Sequence, residues 1–218
     1  MKKILALLVL ASALPLAAQD FEAGVLYTWS PGKAENFTDP SGINLFQFKA
    51  DTWKAAGLRF GYNFVHVGPM EIQGNATIQF NNQQDLVFKI NGSTVPLGLK
   101  EDYKYWAVGA AVNWDFLVRL GVGLEYRSEK LNSTSSVPFV AAIYSGSATY
   151  ARPWMRATAG FTIPVPVVKP FIGIEVALPL TSTSVNYSDF AGSTLDTQKF
   201  NKSLAPKAQY GIYAGIRF

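Results

Sequence analysis

The chain of 218 residues contains no cysteine, so disulfide cross-links and thiolate metal sites are excluded at once. Its single histidine, His66, removes most imidazole-based metal centres and catalytic triads. Charged residues make up only 16%, which is low for a water-soluble domain. Beyond residue 20 no apolar run is long enough to cross a membrane as a helix. The positive excess is small and evenly spread: the formal net charge is +4, and Lys2 and Lys3 lie in an amino-terminal leader. That distribution argues against a nucleic-acid surface.

What remains is apolar. Hydrophobic residues make up 49% of the chain and aromatics 14%. With no spanning helix, such content has to be dispersed by alternation. Residues 1–18 read as a secretory signal peptide. Lys2 and Lys3 give the positive start, residues 4–10 the apolar middle, and Ala11-Ser12-Ala13 and Ala17-Ala18 the small residues before cleavage. Cleavage after Ala18, favoured over Ala13, leaves 19–218 as one exported domain, with a bacterial envelope as its destination.

The mature sequence alternates with period 2 in eight stretches: 20–30, 54–64, 70–80, 105–114, 118–127, 154–163, 171–180 and 209–218. In the third, Met70, Ile72, Ala76, Ile78 and Phe80 oppose Glu71, Gln73, Asn75, Thr77 and Gln79. The connections alternate in length. Those at 31–51, 81–104, 128–153 and 181–207 are long, and those at 65–69, 115–117 and 164–170 are short. Asn91-Gly92 within 81–104 is a hairpin-turn signal, so that loop is expected to carry a short β-ribbon. Long loops at one end, tight turns at the other and strands of about 9–11 residues define an all-β, eight-stranded antiparallel up-and-down transmembrane barrel. Both chain ends fall on the short-turn side.

A soluble barrel would also alternate, with its apolar face inward. The basic residues decide between the two. Of six arginines, Arg59, Arg119, Arg127, Arg156 and Arg217 lie on the polar faces of the stretches, and Arg152 lies outside them. All thirteen lysines fall in the leader, in loops or at strand ends. Arginine is the cation suited to burial, because its planar fork holds carboxylates with two hydrogen bonds. Glu22, Glu71, Glu125 and Glu175 share those faces, with Asp115 near a turn. The expectation is a closed interior holding an Arg/Glu network, in a barrel just wide enough to be filled by side chains. The apolar face places Tyr27, Trp29, Phe80, Trp106 and Tyr126 at the loop end and Tyr62, Phe64, Trp114, Phe161 and Phe218 at the turn end. Two such belts match the two membrane–water interfaces.

With this pattern, and with the ending Tyr-Gly-Ile-Tyr-Ala-Gly-Ile-Arg-Phe218, the chain resembles the small outer-membrane β-barrel proteins of the OmpA/OmpX type. The resemblance covers the whole mature chain and rests on no catalytic motif. It implies an outer-membrane lipid environment, and periplasmic chaperones and the barrel-assembly machinery as partners during biogenesis. It also implies that Tyr210, Ile212, Ala214, Ile216 and Phe218 form the assembly signal. Nothing follows the last strand, so a peptidoglycan-binding domain and its tethering role are not carried over.

No enzyme class draws support. His66 is expected in a turn with no acid placed beside it, and the loop acids do not follow the EF-hand spacing. No cofactor is expected. Glu71, Glu125 and Glu175 are better read as charge partners than as a hydrolytic pair. Two functions stay open. In one, the barrel is a monomeric scaffold whose four long loops serve surface interaction, adhesion or envelope integrity through an unidentified ligand. In the other, it is a narrow channel or carrier for small, hydrophobic solutes. Phe46, Phe48, Phe88, Phe139, Tyr144, Tyr187 and Phe200 suggest loops that pack.

Overall fold

The computed structural model describes residues 21–32, 34–38, 44–163, 165, 168–182 and 197–218. The leader and the cleavage site lie outside them, as do Tyr187 and most of the last loop. Ten strands and two helices are present among the described residues: β1 (Phe21–Ser30), β2 (Ala34–Thr38), β3 (Asn44–Ala50), β4 (Trp53–Val67), β5 (Met70–Ile90), β6 (Ser93–Asp115), β7 (Arg119–Ser135), α1 (Pro138–Tyr144), β8 (Gly146–Thr162), β9 (Lys169–Pro179), α2 (Thr197–Ser203) and β10 (Gln209–Arg217). Eight strands, β1 and β4 to β10, pair antiparallel in a ring. β1 closes it against β10, with Glu22 opposite Arg217 and Trp29 opposite Tyr210.

Closure leaves the eight-stranded ring without a free edge, which a spanning sheet requires in lipid. Alternation sets the two faces. Val25, Ile78, Val108, Leu124, Ile174 and Ile212 point outward and stand exposed on the bare chain. Glu71, Thr77, Glu125, Arg156 and Glu175 point inward and are buried. Polar groups inside and an apolar wall outside are the arrangement of a barrel that meets lipid.

Three of the expected loops are regular structure. The 81–104 connection is the expected β-ribbon turning at Asn91-Gly92, but it takes up the whole connection: β5 and β6 run on to Ile90 and Ser93. Both central residues have positive φ, 49° and 81°, the backbone that this hairpin turn demands. Within 31–51, β2 and β3 pair antiparallel, and β3 pairs with the upper part of β5. In 128–153, β7 continues to Ser135, α1 follows, and β8 begins at Gly146. Above the membrane band these extensions enclose a second core of Phe48, Trp53, Leu86, Leu99, Tyr103 and Leu131, plugged by Phe200, Leu204 and Ala205 from α2 and the segment after it. The molecule is therefore a spanning barrel that continues outward into a packed cap.

Candidate functional site

The lumen is built in tiers, each fixed by inward positions on neighbouring strands. At the turn end, Arg217 donates to Glu22 at 2.7 Å and to Asp115 at 2.9 Å. Arg119 joins Glu22 and donates to Glu71 at 2.8 Å. Two cations thus face three carboxylates. His66 ends β4, and its Nε2 lies 3.5 Å from Glu71. The expectation of no acid beside it is corrected, because the register that pairs His66 with Glu71 follows a bulge between Asn63 and Val65.

In the middle tier Arg59 holds Glu175 with both terminal nitrogens, the second at 3.2 Å, and its Nε donates to Thr77 at 3.0 Å. Arg156 donates to Glu125 at 3.0 Å, and Arg127 Nε donates to the other Glu125 oxygen at 2.5 Å. Three guanidiniums here face two carboxylates. Arg127 also reaches upward, donating to Gln209 at 2.8 Å. Gln209 donates to Gln79 at 2.7 Å and accepts from Tyr105 at 2.9 Å.

A last pair lies above, and the pattern of apolar faces does not give it. That pattern leaves Arg152 outside the strands; in the structure it points inward on β8 and holds Glu129 of β7 with two nitrogens, one at 2.9 Å. Tyr103 donates to the same carboxylate at 2.6 Å. The guanidinium carbon of Arg127 lies 4.3 Å from the centroid of Tyr105 and 4.0 Å from that of Trp154, while Arg152 covers the Trp154 ring at 4.8 Å. Parity holds the signal for both: 125, 127, 129 and 156, 154, 152 continue the inward series on their strands.

The cap above is aromatic. Phe48 packs against Phe88 and Phe200 with ring centroids 4.7 Å apart, and Tyr144 closes the group at 5.6 Å from Phe48. Phe139, by contrast, stands 76% exposed on α1. Glu101 is buried in this cap and meets no guanidinium or ammonium among the described residues. The Gln84 amide beside it, oriented to satisfy its own contacts, donates to the Asp51 carbonyl at 2.5 Å and accepts from Trp53 Nε1 at 2.9 Å. Burial pushes the Glu101 carboxyl well above the usual carboxylate range, and the Asp102 charge adds to that.

Of the proposed assembly-signal residues, Tyr210, Ile212 and Ile216 face outward and are exposed, Ala214 shares their face, and the Phe218 amide donates to the Phe21 carbonyl at 3.0 Å. Among the described residues no three His, Cys, Asp or Glu side chains are grouped to hold a metal ion.

A closed eight-stranded barrel with a charge-filled lumen and an apolar outer wall defines the outer-membrane class of β-barrel. The comparisons give the same fold. The chain is similar in structure to a major outer membrane protein of Thermus thermophilus, with 11% identity over 91% of this chain and 99% of that one, at a TM-score of 0.54. It is similar to the outer membrane protein OprG of Pseudomonas aeruginosa, with 11% identity over 92% and 94%, at a TM-score of 0.50. Ail, the attachment invasion locus protein of Yersinia pestis, matches at 16% identity over 91% and 99%, with a TM-score of 0.41. No family model and no curated protein matches the chain. At these identities the first two likenesses show the fold alone: a barrel shared with bacterial outer-membrane proteins.

Proposed function

We propose that the protein is a non-conducting outer-membrane barrel whose work is done by its packed extracellular cap, in surface interaction, adhesion or envelope integrity. The observation that carries this reading is the filled lumen. Arginine–carboxylate tiers cross it from Glu22 to Arg152, and the Phe48, Trp53, Leu131 and Phe200 core lies above them. A water-filled path would have to part buried ion pairs, and breaking one costs roughly 3–5 kcal/mol. The cap is braced by paired strands and leaves Ile90 and Phe139 exposed as contact residues. In this reading the Arg/Glu set is structural, the carboxy-terminal strand is the signal read by the assembly machinery after delivery by periplasmic chaperones, and the barrel acts as a monomer.

Planar-bilayer recording of the refolded barrel tests the proposal. The expected trace has no stable openings. Large, long-lived channels would refute it and favour the channel or carrier reading.

A further inference from the structure

In the lumen between the lower and middle tiers is a cavity of about 40 Å³. One water needs about 10–15 Å³ of such space, so this one has room for about three waters or a small hydrated ion. Its charged lining is lopsided. Arg59, Arg119 and Arg156 supply three positive charges, and Glu22 is the one carboxylate on its wall among the described residues. Glu22 is already engaged by Arg119 and Arg217. Arg156 meets one carboxylate, Glu125, which it shares with Arg127. The middle tier sets Arg59, Arg127 and Arg156 against Glu125 and Glu175, a local excess of one positive charge that the third carboxylate of the lower tier offsets only from across the cavity.

A second, independent observation points at the same space. Asn113 lines the cavity, is 4% exposed, and its Nδ2 has no hydrogen-bond partner among the described residues. A buried amide donor without an acceptor is costly. The Thr158 and Tyr213 hydroxyls complete the polar wall. Glycines make room for these polar side chains: a Cβ on Gly160 would meet the Tyr213 hydroxyl at 2.6 Å, and one on Gly121 would collide with both Asn113 Oδ1 and Thr158 Oγ1.

A local excess of guanidinium charge, an orphaned N–H donor and room for one small ion converge at one place. We infer that the lumen binds a single halide-sized anion there, chloride being the candidate, as a structural counter-ion of the middle tier. This site takes no part in the proposed surface role of the cap, so a failure of either leaves the other standing.

The test is refolding of the mature chain in zwitterionic detergent with chloride or gluconate at matched ionic strength, followed by urea unfolding. Gluconate is too large for the cavity. Binding to the folded state alone stabilises in proportion to the logarithm of one plus the ligand concentration over Kd. The expected result is a saturable rise of the midpoint in chloride and none in gluconate. Asn113→Leu should flatten the chloride dependence. Crystals of the unaltered chain grown in bromide give a readout that needs no variant, an anomalous peak among Arg59, Arg156 and Asn113. Equal midpoints in the two salts overturn the inference. So does a bromide peak without a solution effect, which would mark an adventitious ion only.

Discussion

Removing Arg59 alone should be more damaging than removing Arg59 and Glu175 together. The Glu175 side chain is fully buried and takes both terminal nitrogens of Arg59. Arg59→Met leaves that carboxylate in the lumen with only Arg156 near enough to act on it. Stranding one member of a buried pair costs about 3–5 kcal/mol, and the nearby Arg156 charge draws the cost toward the lower end, about 3. Replacing both members with apolar groups of similar volume removes the two desolvation penalties along with the attraction. The Arg59→Met/Glu175→Leu chain should therefore lie within about 1–2 kcal/mol of the parent. Lys54→Met, outward and exposed, is the control and should shift stability by less than about 0.5 kcal/mol. Urea unfolding in phospholipid vesicles, followed by tryptophan fluorescence, measures all of these chains against the parent. A double variant that loses the sum of the two single losses would refute the pairing argument, as would single variants that unfold at the parental midpoint.

Glu101→Gln should stabilise the cap at neutral pH and remove a pH dependence. The folded Glu101 carboxyl is raised, so the unfolded chain ionises first as pH rises. Cap stability is then fully present below about pH 4.3 and falls by about 1.4 kcal/mol per unit until the elevated folded value is reached. Urea midpoints of parent and variant should diverge progressively as pH rises above the unfolded carboxyl value of about 4.3; parallel curves would count against a neutral Glu101. Deleting Phe218 should slow insertion by the cellular assembly machinery, while the same chain refolded in detergent reaches the parental circular dichroism spectrum. Insertion at the parental rate would remove the carboxy-terminal strand from that role.

The lumen is legible in the sequence because lipid enforces a strict rule. Between Trp106 and Trp114 every outward side chain meets hydrocarbon, so the polar face can only be the inside. The cap is not legible, because the rule inverts where the strands leave the membrane. On β6 the inward series runs Asn113, Ala111, Ala107, Tyr105, Tyr103, Glu101, Leu99, and the outward one Trp114, Val112, Val108, Trp106, Lys104, Asp102, Lys100. The strand keeps its parity while its faces exchange character, polar-in giving way to apolar-in, because water replaces lipid outside. A search for one apolar face stops at that crossing and reads the remainder as loop. The same inversion on β7 and β8 hides Glu129 and Arg152, which sit where the two regimes meet. On β5 a register shift between Gln79 and Asn82 adds a second obstacle: inward positions pass from odd numbers to even ones at Gln84 and Leu86, and the period itself breaks. Polarity of a face reports the solvent beyond it; parity reports the strand. Where the two disagree along one uninterrupted pairing, the disagreement marks the height of the membrane surface, here at the Tyr105–Trp106 level on β6 and at Ser128–Glu129 opposite it on β7.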